Sequence, residues 1–372
     1  MTGTSISSRS FVVAFAVWLL WTTLAASGQD IAGLKSKAEK GDVQAQLELA
    51  NAYHNGQGIP KDDAEAVRWW QKAAVQGNAT AEVNLGIAYQ SGQGVSRDYT
   101  TAARWFRRAA DGGNEQAQSA LALLYHLGMG VAKNEVEAVH WWQKAADQGV
   151  AAAQVNLGTA YRLGHGVAKN DAESLRWYRK AAENGDSTAE LNLGMAYLNG
   201  AGIAKDEAEG VKWLRKAAEQ GNPGGQLWLG VSYHNGVGVV KDDAESVRWY
   251  RRAAEQGLAP AQFNVGQAYN SGTGVEKDLK EAARWWRMAA DQGMAQAQFN
   301  LGLAYHAGSG VEKDDLEAYF WTDLAASTLQ DPMAKKSRDK IGESLTPLQM
   351  SDIQERSKKW AESHQSVQRS AQ

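Results

Sequence analysis

The sequence contains no cysteine, and this absence removes several classes of site at once. Disulfides, thiol catalysis, zinc–thiolate centres and a lipid-modified cysteine are all excluded. Proline is scarce, with five residues among 372, which suits helices. The formal net charge is only -3 and no long run of like charge occurs, so we expect neither a nucleic-acid arm nor a membrane-surface patch.

Residues 1–28 have the pattern of a secretory signal peptide. Arg9 supplies a positive charge, an apolar run extends from Phe11 to Ala26, and a small residue, Gly28, precedes the expected cleavage site before Gln29. The sequence therefore predicts a secreted or periplasmic protein. The alternative is an uncleaved N-terminal membrane anchor, but the apolar run is shorter than the roughly 20 residues of a span, and no basic flank follows it.

A period of 36 residues runs through the centre of the chain. A tryptophan, a tyrosine, two glycines and a doubled alanine all recur with this spacing, so that eight units cover residues 41–328 without an insertion or a deletion. Self-similarity at such a period indicates a repeat architecture. The tryptophan series is Trp69, Trp105, Trp141, Trp177, Trp213, Trp249, Trp285 and Trp321.

Each unit has the pattern of two helices, here called helix A and helix B. In the first helix A, Ala45, Leu49 and Tyr53 share one face, and a Gly-x-Gly loop that begins at Gly56 ends the helix. Helix B follows a capping residue, Asp62 in the first unit, and a glutamate stands three residues later in seven of the eight units. The alanine pair allows helices to approach closely and the tryptophan fills the space beside it, so the units are predicted to stack on a shared core.

These features resemble the Sel1-like repeat family, which is related to the tetratricopeptide repeat. The family pattern is Ala-x3-Leu-Gly-x2-Tyr-x2-Gly-x-Gly-Val, then Asp-x3-Ala-x2-Trp-Tyr/Trp-x-Lys/Arg-Ala-Ala-x-x-Gly, and residues 157–185 show nearly all of it. The resemblance implies an all-α fold, a right-handed α/α solenoid of eight 36-residue helix-turn-helix repeats. It also implies that helices A line the concave wall and helices B the convex wall.

The two ends of the chain are expected to cover the array, as the ends of a solenoid must be covered. Residues 29–40 have the pattern of a partial helix that caps the first repeat, and residues 329–364 that of C-terminal capping helices. The eighth unit lacks its closing glycine, so we expect its helix B to continue beyond the usual end. The polar residues 365–372 are predicted to form a disordered tail.

Alignment to the tetratricopeptide pattern places a set of polar and aromatic side chains on the concave face, where we expect a protein or peptide partner. Arg162 is the only formal charge among them, which disfavours a clamp for a C-terminal carboxylate. At any single position the alternative is packing or solvent contact, and for the asparagines it is a backbone-facing hydrogen bond between repeats. The predicted partner-binding residues are Asn51, His54, Asn84, His126, Asn156, Arg162, Asn192, Trp228, His234, Phe263, Asn264, Phe299, Asn300 and His306.

Four of these residues, His54, His126, His234 and His306, share one repeat position. No two of them belong to adjacent repeats, so at about 8–10 Å between neighbouring helices they lie about 20 Å or more apart and cannot share an ion. We therefore expect no metal, and the sequence offers no cofactor or catalytic site. The histidines are interpreted as C-terminal helix residues, which the helix dipole favours when they are charged.

The sequence thus favours an exported, non-enzymatic scaffold that binds a partner on its concave face. By resemblance, exported bacterial members of the family are regulators, assembly factors or host-interaction proteins. One alternative is an enzyme related to exported relatives that bind or hydrolyse β-lactams, although their cysteine pairs are missing here. Another is a cell-wall or polysaccharide scaffold, which would need exposed aromatic residues on helix B where we expect core packing. Those residues are Trp70, Phe106, Trp142, Tyr178, Tyr250 and Trp286.

Overall fold

The computed structural model describes residues 30–329 and 331–370, with side chains up to His364, and its regular structure there is entirely helical. The signal peptide predicted for residues 1–28 lies outside the described residues. The chain forms two compact units, one up to Ala109 and the other from Ala110 onward. None of the described helices is both long and apolar enough to cross a bilayer.

The helices alternate between type A and type B after a short first helix. The first unit contains α1 (Ile31–Glu39), α2 (Val43–Asn55), α3 (Asp63–Val75), α4 (Ala79–Ser91) and most of α5 (Tyr99–Asp111). The second unit contains α6 (Glu115–Leu127), α7 (Glu135–Asp147), α8 (Ala151–Leu163), α9 (Asp171–Glu183), α10 (Ser187–Asn199), α11 (Glu207–Glu219), α12 (Pro223–Asn235), α13 (Asp243–Glu255), α14 (Ala259–Ser271), α15 (Leu279–Asp291), α16 (Ala295–Ala307), α17 (Asp315–Leu329), α18 (Pro332–Gly342) and α19 (Pro347–Ser370). Helices A are the even-numbered helices α2 to α16, and helices B are the odd-numbered helices α3 to α17.

Helices B begin where predicted, but only half of the predicted capping box forms. The side chain of Asp62 accepts a hydrogen bond from the Glu65 backbone N–H at 3.0 Å. The backbone N–H of Asp62 donates to the carbonyl of Tyr53 at 2.9 Å, while the Glu65 carboxylate pairs with Arg68. The same bond to a helix A tyrosine carbonyl recurs in all eight pairs. The capping residue therefore joins the two helices of each pair as well as starting the second one.

The predicted alternation of small and large side chains is confirmed in the core of each unit. In the second unit, Trp285 packs in one buried cluster with the preceding alanine pair, Ala253 and Ala254, and with Ala261 and Val265 of the intervening helix A. In the first unit, Trp105 packs against the cluster that holds the alanine pair of α3. Trp213, Trp249 and Trp321 pack with alanines of the preceding helix B in the same way, so these successive helix pairs share a core.

A ladder of buried glutamines links helices A to the helices B that precede them. Gln226 is typical: its Nε2 donates to the Ala218 carbonyl at 3.2 Å and its Oε1 accepts from Gln256 at 2.8 Å. The donor to the preceding helix is an amide in six of the eight pairs. These buried glutamines are Gln46, Gln118, Gln154, Gln226, Gln262 and Gln298.

Glutamate replaces glutamine at two steps of the ladder, and burial raises the pKa of both carboxyls. Glu82 lies 2.6 Å from the Arg108 Nε, which partly offsets the effect of burial. Glu190 has Lys216 as a more distant cation and accepts a hydrogen bond from Gln220 at 2.7 Å. Neither carboxylate, when charged, can donate to the preceding helix as a glutamine does. Glu190 also makes no ion pair among the described residues, so its step is the weaker of the two.

We expect Glu190→Gln to raise the free energy of unfolding by about 1 kcal/mol at pH 7, because the amide is neutral and can donate to the preceding helix. The raised pKa means that the folded state holds this proton more tightly than the unfolded chain does. The free-energy cost of the charged carboxylate is therefore fully present above the pKa of the folded state. It decreases as the pH falls toward the pKa of the unfolded chain, about 4.3. Urea unfolding at several pH values should show the gain shrinking between pH 7 and pH 4.

The reciprocal change, Gln226→Glu, provides the matched control for this prediction. It should destabilise the protein at pH 7 and recover stability in acid, because it creates the same buried carboxyl one helix pair further along. An effect of either substitution that does not change with pH would contradict the assignment to ionisation.

The C-terminal helices pack on the last helix B of the second unit. Helix α17 has 15 residues where the other helices B have 13, which confirms that it runs beyond the usual end. On α19, Trp360 meets the Trp321 ring edge-to-face at 6.3 Å, and Gln354 donates to the Tyr319 hydroxyl at 3.1 Å. Helix α19 continues to Ser370, into the stretch 365–372 where we expected a disordered tail.

Candidate functional site

Two adjacent rows of half-buried side chains run along the helices A of the second unit, from α8 to α16. Both rows take one residue from each helix, and neither contains a formal charge. We call the first the apolar row, and it consists of Val155, Leu191, Leu227, Phe263 and Phe299. The second, the amide row, is formed by the next residue in each helix and consists of Asn156, Asn192, Trp228, Asn264 and Asn300. Together they place seven of the predicted partner-binding residues on one continuous strip.

A third row lies at the C-terminal ends of the same helices. It consists of Arg162, Leu198, His234, Asn270 and His306. The three rows together are called the helix A surface below. The Arg162 Nε donates to the Tyr178 hydroxyl at 3.4 Å, and its guanidinium makes no ion pair within the described residues. The surface is therefore neutral apart from one guanidinium and the histidines.

Three asparagines of the amide row keep their hydrogen-bonding groups free. The side chains of Asn156, Asn192 and Asn264 make no hydrogen bond to any described part of the chain, although each is half-buried. Asn300 differs, because its Nδ2 donates to the Gln267 Oε1 on the neighbouring helix A at 3.0 Å. The backbone-facing hydrogen bonds that were the alternative for this series are not found among the described residues, so the free amides can serve a ligand.

In the first unit the corresponding residues are already engaged with one another. The Asn51 Oδ1 accepts from the Trp70 Nε1 at 3.0 Å and from the Asn84 Nδ2 at 3.4 Å. The His54 ring packs at 5.4 Å from the Trp70 ring. These three predicted binding residues therefore make their contacts within the first unit. The asparagines whose amides make no hydrogen bond to a described residue belong to the second unit.

The four histidines of the shared repeat position each pair with a carboxylate that sequence reasoning did not assign to them. The Nδ1 atoms lie 2.7–2.8 Å from the carboxylates, which stand nine residues later in the first turn of helix B. His126 is also buried, with 6% of its surface exposed. The pairs therefore connect helix A to helix B. His234 is exposed, and His54 and His306 are half-buried. The four pairs are His54–Asp63, His126–Glu135, His234–Asp243 and His306–Asp315.

In two of the four pairs, those of Asp315 and Glu135, the surroundings favour a charged carboxylate. The hydrogen bond from His306 lowers the pKa of Asp315. At Glu135 burial opposes ionisation, but hydrogen bonds from His126 and Lys133 outweigh it and hold the pKa below its usual range. No group of three or more potential metal ligands occurs among the described residues. The histidines thus stabilise the contact between helix A and helix B. They lie near the C-terminal ends of helices A, as the sequence predicts.

The aromatic residues of helix B are buried, as core packing requires. Among the described side chains, Trp142 and Tyr178 each expose 1% of their surface, and the most exposed of the six, Tyr250 and Trp286, expose 6%. Aromatic residues in this state cannot stack on a sugar. The hypothesis of a polysaccharide scaffold required exposed aromatic residues on helix B, and these six are buried.

Comparison with known proteins identifies the repeat. The model of the Sel1 repeat matches residues 43–78, 79–114, 115–150, 151–186, 187–222, 223–258, 259–294 and 295–327. The chain belongs to the Sel1 repeat family. Proteins with Sel1 repeats, which are tetratricopeptide-like, generally mediate protein–protein interactions and are typically not enzymes, so the fold favours protein partners.

Two solved Sel1 repeat structures resemble this chain over most of its length. A Sel1 repeat protein from Oxalobacter formigenes is 32% identical, with 86% of this chain and 92% of that chain covered and a TM-score of 0.67. The protein c5321, a protective antigen present in uropathogenic Escherichia coli strains, is 34% identical, with 89% and 79% covered and a TM-score of 0.55. No curated protein matches the chain.

Proposed function

We propose that this Sel1 repeat protein is an exported scaffold without catalytic activity, and that it binds a protein partner on the helix A surface of its second unit. The observation that carries the proposal is the set of free, half-buried amides of Asn156, Asn192 and Asn264 beside an uninterrupted apolar row. Amides of this kind bind peptide groups, and the apolar row offers burial to side chains of the partner.

The chemistry of the surface also supports binding over catalysis. Its side chains are amides, aliphatic and aromatic groups, one guanidinium, the exposed imidazole of His234 and the half-buried imidazole of His306. Both imidazoles already pair with a carboxylate through Nδ1. These groups can bind a ligand through hydrogen bonds and through the burial of apolar surface. By holding a partner in this way, this protein would act as a regulatory, assembly or host-interaction factor.

Export is proposed from the signal-like residues 1–28. A relative offers independent support, since c5321 is a protective antigen of uropathogenic Escherichia coli strains. An antigen that protects is one that the host immune system meets. We propose the same exposure for this chain, with cleavage before Gln29.

Site-specific photocrosslinking in cells of the source organism tests both parts of the proposal. A benzoylphenylalanine at position 192 or 264 should give a light-dependent adduct of one mass, since both positions lie in the amide row. The same probe at the exposed helix B positions 172 and 244 provides the matched control and should give no such adduct. The adduct should be found in the exported fraction, with Gln29 as the N-terminal residue of this chain.

A partner identified in this way should then bind the purified protein less tightly after Asn192→Ala. Capture from positions 172 and 244 in place of 192 and 264 would move the interface to helix B and contradict the proposed surface. An adduct confined to the cytoplasm would contradict export and leave the surface assignment intact.

A further inference from the structure

We propose that the apolar and amide rows of the second unit bind an uncharged, proline-rich segment in the polyproline II conformation, with an apolar residue at every third position. This inference rests on the proposed function, because it names the kind of segment that the helix A surface takes. Four features of the two rows support it: their spacing, their free amides, their aromatic members and their neutrality.

Direct contact between neighbouring helices A is clearest between α10 and α12. An added Cβ at Gly224 of α12 would lie 2.7 Å from the Leu191 Cδ2 of α10, and Asn222 Nδ2 donates to Ser187 Oγ at 3.3 Å. Helices packed in this way lie about 8–10 Å apart. A polyproline II helix rises about 3.1 Å per residue with three residues per turn, so its side chains return to one side every 9.3 Å or so. The length of one polyproline II turn therefore matches the distance between neighbouring helices A to within about 1 Å.

The other extended conformation does not match this spacing. A β-strand returns a side chain to one side every second residue, about 6.6–6.8 Å, and falls out of step with the rows after one repeat. An α-helix can approach the spacing with anchors seven residues apart, about 10.5 Å. The distinction between that helix and polyproline II depends on the amide row.

The free amides favour a ligand whose backbone groups are also free. Asn156, Asn192 and Asn264 each offer a donor and an acceptor that no described residue uses. An α-helix has already satisfied its own backbone and gains little from them. A polyproline II segment has no internal hydrogen bonds, so its carbonyl groups can accept from the asparagine Nδ2 atoms.

The aromatic members of the rows add a second reason. Trp228 interrupts the amide row and is half-buried, and Phe263 and Phe299 of the apolar row follow on the next two helices A. Aromatic surfaces of this kind dock proline-rich segments, whose preformed conformation loses little entropy on binding. The rows themselves carry no charge, so a charged ligand residue would lose its hydration there without gaining a partner.

The five positions of the apolar row set the length of the segment. Four intervals of three residues connect five anchor residues, which gives about 13 residues for a ligand that spans the rows. The test therefore uses a fluorescein-labelled peptide of four Leu-Pro-Pro triplets closed by a leucine. The control peptide has the same composition with the leucines clustered, and a third peptide is a leucine-rich α-helix.

Fluorescence anisotropy with the purified chain should show that the periodic peptide binds at least tenfold more tightly than the clustered one. The combined changes Asn156→Ala, Asn192→Ala and Asn264→Ala should weaken its binding at least tenfold. Asn199→Ala is the matched control and should leave the affinity unchanged, because Asn199 lies on α10 outside the rows and its amide already donates to the Met195 carbonyl at 2.8 Å. Circular dichroism confirms that each variant is folded.

Equal affinity for the periodic and clustered peptides, or binding of neither, would overturn the inference, and this comparison needs only the unsubstituted protein. Tighter binding of the α-helical peptide would also overturn it and would assign the rows to a helical partner. In both cases a photocrosslinked partner at positions 192 and 264 would leave the proposed function standing. Loss of those crosslinks would remove the proposed function itself.

Discussion

Replacing Gly166 with alanine is expected to lower the free energy of unfolding by about 2–5 kcal/mol. Gly166 follows α8 and has a φ of 71°, which costs any residue with a Cβ about 1–2 kcal/mol. An added Cβ would also lie 2.2 Å from the carbonyl oxygen of Glu135, in the first turn of α7. Because this oxygen belongs to the backbone, no side-chain rotation can relieve the clash. The preceding helix pair would therefore have to move.

Gly164 offers a matched control two residues earlier in the same loop. Its φ of 74° is nearly the same, but the nearest atom to an added Cβ is the Lys169 Cβ at 3.5 Å, an ordinary contact. Gly164→Ala should therefore cost only the backbone strain, about 1–2 kcal/mol. Both substitutions restrict the unfolded chain equally, so that effect cancels in the comparison.

Urea unfolding followed by circular dichroism measures the two variants, and hydrogen exchange locates the change. In Gly166→Ala the backbone amides of α7 to α9 should exchange faster, because the contact between successive helix pairs is the one disturbed. Equal losses for Gly164→Ala and Gly166→Ala would show that the glycine conformation alone matters. The close approach to Glu135 would then have no part in stacking the repeats.

The helices and their ends were predictable because their signals are local. Helix A ends at Gly56, which adopts a φ of 69°, and helix B starts after Asp62, whose side chain caps it. Both signals act within a few residues of the chain. The backbone bond from Asp62 to Tyr53 was missed, since the glutamate three residues after the cap suggested a reciprocal bond that the loop geometry gives to helix A.

The pairing of the histidines was also missed, although the sequence carries a signal for it. Each of the four histidines has an Asp or Glu nine residues later, whereas two of the four repeats without the histidine have Tyr99 or Leu279 there. Nine residues span a helix end, a loop and a helix start, so the contact depends on how the loop folds back. Comparison of the repeats with one another could have revealed it.

Some features of the candidate surface could be predicted from the sequence and others could not. The rows themselves follow from the period, and the residues from Asn156 to Asn300 lie on successive helices A. Which amides remain free could not be predicted, because Asn51 and Asn84 are engaged through contacts with Trp70 and with each other. Asparagines at the same repeat position therefore differ in whether their amides are free to bind a ligand. The difference depends on neighbouring residues that vary from repeat to repeat.

Trp249→Ala is expected to be the second strongly destabilising change, with a loss of about 3–5 kcal/mol. Trp249 on α13 exposes 6% of its surface and packs with Val211 and Ala218 of the preceding helix B and with Leu229 of the intervening helix A. Its Nε1 has no hydrogen-bond partner among the described residues, so the alanine removes packing and no hydrogen bond. The alanine also removes the contact of the Arg252 guanidinium, 4.4 Å from the centre of the ring, so the loss measures the packing between successive pairs together with that contact.

Trp228→Ala makes the same chemical change on the helix A surface and serves as the control. Trp228 on α12 is half-buried and belongs to none of the buried core clusters of the described chain, so its loss should cost about 1 kcal/mol or less. Unfolding by urea should also become less cooperative in Trp249→Ala, because repeats are coupled only through their neighbours. If Trp228→Ala were as destabilising as Trp249→Ala, the amide row would be part of the core, and a surface that the fold already uses could not be the one that receives a partner.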